Sequence, residues 1–280
     1  MNNDLSFLVG SARCADQTPP RRHLTRALLL AGAFILLSRP AFAVEVVEET
    51  IEQKYTVEPE VTLSIRNTDG SIRVYGADVR EISIQAIKRA YSAERLKQIV
   101  VSVNATAGSV AIETIFPPRK NGLSLSDRSG TVEYNVIVPF GTRVSNLELL
   151  NGEVMVDGLR GGSATAHVVN GSLAAHDCFG DLNFRLENGR LDISFDWWEG
   201  SKFSTKLSTE HGNIRAFFPS DVPLRIDARA TTGRIANSLD PNKKQAAPEI
   251  HTLDFSTSTN PEGTFELTSA TGNIRIDKSY

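Results

Sequence analysis

Five carboxylates crowd one stretch of this sequence: Asp177, Asp181, Glu187, Asp192 and Asp196. Acids that converge on one face within about 5–10 Å can serve as general acid and base on a glycosidic bond. They can also share a calcium ion. If they sit on successive turns of a stacked chain, a strand spacing of about 4.8 Å brings them close enough for either role. Acids on strand exteriors also deter edge-to-edge pairing in any soluble β protein. The five residues therefore support a carbohydrate-active parallel β-helix enzyme as one alternative, and solvated strand faces as the other.

The remaining reactive types give less. His167, His176, His211 and His251 follow the first 43 residues. No two stand at His-x-x-x-His spacing, and no carboxylate accompanies them at a recognised ligand interval. They read as turn and surface residues, so no metal site is assigned. No Gly-x-Ser-x-Gly occurs, and Gly161-Gly162 is not followed by Gly-Lys-Ser/Thr. Neither a serine nucleophile nor a phosphate loop is therefore indicated. No catalytic residue and no cofactor is assigned. Cys178 is the one cysteine after Cys14. It has no internal partner and reads as a small buried apolar side chain.

Trp197-Trp198 stands between Phe195-Asp196 and Glu199-Gly200. Adjacent strand residues face opposite ways, so one ring packs inward and the other faces solvent. An exposed indole can stack on a sugar ring or anchor a protein partner. The pair can equally cover an end of the fold.

The elements that would position these residues are strands. Val61, Leu63 and Ile65 alternate with Thr62, Ser64 and Arg66, and Val132, Tyr134, Val136 and Val138 repeat the pattern. This period of two marks strands with one apolar face. Only Ser92 to Ile99 reads as helix, with Ser92 as its cap. A unit of polar residue, Gly, any residue and apolar residue recurs at Gly70, Gly152, Gly171, Gly189, Gly212, Gly233 and Gly272. From Gly152 the spacings are 19, 18, 23, 21 and 39 residues. The last equals about two units, with one blurred near Pro241 to Pro248. A period near 20 residues is the signature of stacked or solenoid architecture. Gly supplies a sharp turn at positive φ, and Asn before it tolerates that conformation. Asn-Gly between apolar runs is also a hairpin signal, which would give an antiparallel meander. The constant period favours the stack. The expected fold is an all-β solenoid of parallel strand repeats, with a more sandwich-like part before Gly141.

Val138-Pro-Phe-Gly-Thr142 leads into Leu147-Glu-Leu-Leu-Asn-Gly-Glu-Val154. Val168-Val-Asn-Gly-Ser-Leu173 and Leu186-Glu-Asn-Gly-Arg-Leu191 repeat the unit. With Ile65 to Ile72, these segments resemble the bacterial DUF4097 "putative adhesin" family of exported β-solenoid-like proteins. The resemblance spans Thr62 to Ile276. It implies a binding or scaffolding module and transfers no catalytic residues. The Trp197-Trp198 insert and the loop at Pro241 to Pro248 depart from the family pattern.

The first residues set the compartment. Arg21, Arg22 and Arg26 precede an 11-residue apolar run, Ala27 to Leu37, and the small-x-small triplet Ala41-Phe42-Ala43. That is the layout of a signal peptide cleaved after Ala43. The run is too short to span about 30 Å of hydrocarbon. The expected organisation is a signal peptide over 1–43 and one β-repeat domain over 44–280. Removing five Arg and two Asp from 30 basic and 33 acidic residues leaves 25 and 31, a net charge near −6. Nucleic acid, which requires a basic stripe, is not an expected partner. A periplasmic or surface-exposed protein is expected, with no membrane span after cleavage. Its partner would be a protein or glycan of the cell envelope. A protein-binding accessory of envelope-stress signalling is a second alternative.

Overall fold

The computed structural model describes residues 46–118, 130–240 and 251–279. The segment read as a signal peptide, the cleavage point and the loop at Pro241 to Pro248 lie outside these residues.

Five long strands carry the repeat: β2 (Thr62–Ala77), β7 (Arg143–Asp157), β8 (Arg160–His176), β9 (Phe179–Ser194) and β10 (Phe203–Phe218). They pair in parallel in that order, with Gly70, Gly152, Gly171, Gly189 and Gly212 in one register. Parallel pairing identifies the stack and removes the antiparallel meander.

The glycine is a crease within a strand. In β8 the buried residues before it are Ala164, Ala166 and Val168, and those after it are Leu173 and Ala175. The inward set changes parity at Gly171. In a flat strand that change would send the second apolar set to the opposite face. The crease instead folds each strand into two legs whose apolar residues join one core, including Phe184, Leu186, Leu191 and Ile193 of the next coil. β7, β9 and β10 change parity at the same point.

Six of the seven repeat glycines have φ between +133° and +144°; Gly212 is the exception. Its requirement is space, because a Cβ there would lie 2.2 Å from the Gly189 oxygen. The expectation that all seven sit at positive φ is corrected on this point. The preceding Asn residues are also not at positive φ. They form a ladder along the stack instead. Asn151 Nδ2 donates to Asp69 Oδ1 at 2.8 Å, Asn170 Nδ2 to Asn151 Oδ1 at 3.0 Å, and Asn188 Nδ2 to Asn170 Oδ1 at 3.2 Å. Such ladders stabilise in-register stacking.

At the N-terminal end the two legs of β2 part company. The first leg pairs with β5 (Ser109–Ile115), which pairs with β4 (Val100–Thr106). The second leg pairs with β6 (Thr131–Pro139), followed by β3 (Glu81–Ala90) and β1 (Val47–Thr56). Two separate walls extend from one strand, which gives this part its sandwich-like form. The helix α1 (Ala93–Gln98) starts where Ser92 Oγ accepts from Arg95 N at 3.2 Å.

The C-terminal end departs from the sequence expectation. Among the described residues, the 39-residue interval holds no further coil. β14 (Gly263–Thr271) and β15 (Ile274–Lys278) insert between β10 and the strands β11 (Leu224–Thr232) and β12 (Ile235–Asn237). Gly272 stacks on Gly212, and Gly233 lies outside it. β13 (Thr252–Ser256) runs antiparallel along β11. Stacking order therefore differs from chain order. β13, from the intervening segment, forms an edge strand that covers β11.

Candidate functional site

Coil closure needs little chain. Two residues, Gly158-Leu159, join β7 to β8, and two, Asp177-Cys178, join β8 to β9. β9 and β10 are instead joined by residues 195–202, which include both tryptophans. The excess chain is not required to close a coil, so this loop is the candidate functional site.

Its residues divide into an anchor and a display. Phe195 is buried and stacks on Phe218 at 5.7 Å. Trp198 packs inward against Phe203 and Phe195, with centroids 5.4 and 5.5 Å away, and its Nε1 donates to Glu262 Oε2 at 2.8 Å. A Cβ on Gly263 would meet this indole at 2.7 Å, so glycine there makes room for the ring. Trp197 is 39% exposed. It is held by Phe179 at 4.5 Å and by the Arg160 guanidinium, 5.0 Å from its ring centre. Arg160 also lies 4.5 Å from the centre of Phe140 and pairs with Glu199 at 3.9 Å. Cation–π contacts of this kind fix an exposed ring in one orientation. A shallow open groove beside Arg160 is lined by Glu60, Arg143, Ser163 and Asp181.

The second residue of the loop, Asp196, belongs to a second cluster. His176 Nδ1 lies 3.1 Å from Asp157 Oδ1. Its Nε2 lies 3.3 Å from Asp196 Oδ2 and 3.6 Å from Asp177 Oδ2. Asp177 adopts φ +46° and accepts from the Asp196 amide at 2.8 Å. Burial opposes a charge on the ring. The Asp157 hydrogen bond, the Asp177 and Asp157 charges and the Asp196 hydrogen bond outweigh it, so His176 titrates above its ordinary 6.5. The His176, Asp177 and Asp196 donor atoms lie within 4.8 Å of one another, near enough to share a cation. When protonated, the ring meets carboxylates from both nitrogens, so the arrangement is that of an ion-pair cluster.

The other acids named from the sequence do not converge with these. Glu187 pairs with His167 at 3.1 Å. Asp192 is held by Arg190 and, through both oxygens, by Arg215. Asp181 accepts from the Ser204 amide at 2.9 Å. Only Asp177 and Asp196 of the five come together. His211 takes the place of Asn in the ladder register opposite Asn188, and His251 is exposed beside β11. Cys178 is buried in its corner, and burial pushes its thiol up to about 12.

Sequence reasoning missed Arg160, Glu262 and the His176 cluster. A signal for the cluster was present. Asp157, His176 and Asp196 are spaced by 19 and 20 residues, which is one coil period. Helix-type ligand templates do not test that interval.

No family model matches this chain. No curated protein matches it. Among solved structures, it is similar to a "putative cell adhesion protein" from Clostridium sporogenes, with 15% identity and a TM-score of 0.47, covering 82% of this chain and 100% of that one. A "putative adhesin" from Bacteroides fragilis shows 10% identity and a TM-score of 0.39 over 81% of this chain and 97% of its own. A "putative lipid binding protein" from Parabacteroides distasonis shows 7% identity and a TM-score of 0.29 over 82% and 97%. No helix among the described residues is long and apolar enough to cross a membrane.

Proposed function

We propose that this chain is a non-enzymatic, adhesin-like binding module of the cell envelope, and that it meets its partner through the loop at Trp197. One observation carries the reading. An exposed indole is fixed by Phe179 and Arg160 on a loop that coil closure does not need. A rigid aromatic ring contributes contact area at little entropic cost, whether the partner is a sugar ring or a protein surface. The dispersal of Glu187, Asp192 and Asp181 into separate partnerships supports binding over acid–base catalysis. Export rests on the basic stretch, apolar run and small-x-small triplet of the first 43 residues.

The test is a glycan array and an envelope-extract pull-down, run with the unmodified chain and Trp197→Ala. Binding that falls at least about tenfold in the variant, a loss of about 1.4 kcal/mol, supports the reading. Turnover of any arrayed polysaccharide would replace it with the enzyme reading. Binding that ignores Trp197 would move the contact face elsewhere.

A further inference from the structure

The His176 cluster joins three consecutive coils at the base of the Trp197 loop. Asp157 ends β7, His176 ends β8, Asp177 turns the corner into β9, and Asp196 is the second residue of the loop after β9. An imidazolium donates from both nitrogens, so one ring can hold Asp157 on one side and Asp196 with Asp177 on the other. A neutral imidazole donates from one nitrogen only. Its second nitrogen would then present a lone pair to a carboxylate 3.1 or 3.3 Å away. Three carboxylates would face one another with no cation among them.

The weakest member yields first. The Asp196 side chain is 72% exposed, whereas Asp177 is 14% exposed. Water can solvate a departing Asp196 carboxylate at little cost, and Trp197 is the next residue. The hydrogen bond that the Asp196 backbone N–H donates to Asp177 Oδ1 opposes release but fixes only the backbone at that point. The other charged groups of this corner, Arg160 and Glu199, pair with each other.

We propose that protonation of His176 gates the loop: the charged ring ties Asp196 to the coil corner and holds Trp197 in its display position, and loss of the proton frees the loop. The inference rests on reading Trp197 as the contact residue. It adds regulation, with the site ordered in mildly acidic surroundings and loosened in alkaline ones. The sign follows from linkage. A group whose folded-state pKa is raised contributes its stabilisation fully below the unfolded value and loses it as pH rises through the folded one.

The experiment is hydrogen exchange of the amides of residues 195–202 in the full chain between about pH 5 and 9, corrected for the intrinsic rate. Protection should fall through a midpoint above 6.5, by about tenfold for each pH unit by which contact with Asp196 raises His176. His176→Gln should show no such transition. Asp196→Asn, which leaves the buried part of the cluster intact, should show a smaller one. A flat profile in the unmodified chain, or a transition unchanged in His176→Gln, overturns the gate. Exchange reports the loop whether or not a partner binds. A flat profile therefore rejects the gate alone, and a binding site that ignores Trp197→Ala rejects the binding reading alone.

Discussion

A Cβ on Gly171 would stand 1.8 Å from the carbonyl oxygen of Gly152, the equivalent glycine one coil away. The same contact recurs at Gly152 against Gly70 and at Gly189 against Gly171, both at 1.8 Å. Backbones approach along this line as closely as a glycine-only column permits. The recurrent glycine is thereby explained by stacking, and no ligand is needed to account for it.

Gly171→Ala should therefore be among the most damaging single changes. It combines a positive-φ penalty of about 1–3 kcal/mol with overlap against backbone that cannot step aside. The expected loss is about 3 kcal/mol or more in urea unfolding. Gly161→Ala is the control, since Gly161 has φ +67° with nothing within 4 Å of its would-be Cβ. It should lose only about 1–2 kcal/mol. Equal losses at the two sites would refute the close-approach argument.

Asn170 both donates to Asn151 and accepts from Asn188. Asn170→Ala breaks the ladder at its middle. These bonds are solvent-exposed, so the cost should be about 1 kcal/mol, and the fold should survive. Thermal unfolding checks this. A loss as large as that of Gly171→Ala would mean that the ladder, and not the crease, organises the stack.

The two tryptophans should separate sharply. Trp198→Ala empties space among Phe195, Phe203 and Phe265 and leaves Glu262 without its indole donor. A loss of about 3 kcal/mol is expected. Trp197→Ala removes a ring that is 39% exposed and should cost less, about 1–2 kcal/mol. Chemical denaturation of both variants decides, and the reverse ranking would exchange anchor and display.

Cys178 should be inert in the native chain. Its thiol is pushed up to about 12 by burial, so at pH 8 almost no thiolate exists to attack a disulfide reagent. The Cys178 thiol should react only after unfolding. Prompt labelling of the folded protein would contradict its burial.

Much of the stack was legible because local chemistry dictates it. The change of parity between Val168 and Leu173, with Asn170-Gly171 between, is visible in the residues themselves. The reason for Asn was not legible, because a ladder exists only once coils are in register. The insertion of Gly272 between Gly212 and Gly233 was equally hidden. Stacking order is set by long-range pairing, and the glycine pattern is the same in either order. The Trp197-Trp198 pair announced one inward and one outward ring. Which ring was inward depended on Glu262 and Gly263, more than sixty residues away. The His176 cluster escaped because its spacing is the coil's, not a helix's.

Oxidative footprinting of the two indoles tests the contact face most directly. It compares the free chain with the chain held on the glycan or protein it retains most strongly. Trp197 should oxidise readily when free and be protected when bound, while Trp198 should stay unreactive in both. A bound chain whose Trp197 oxidises as fast as in the free one would contradict the account.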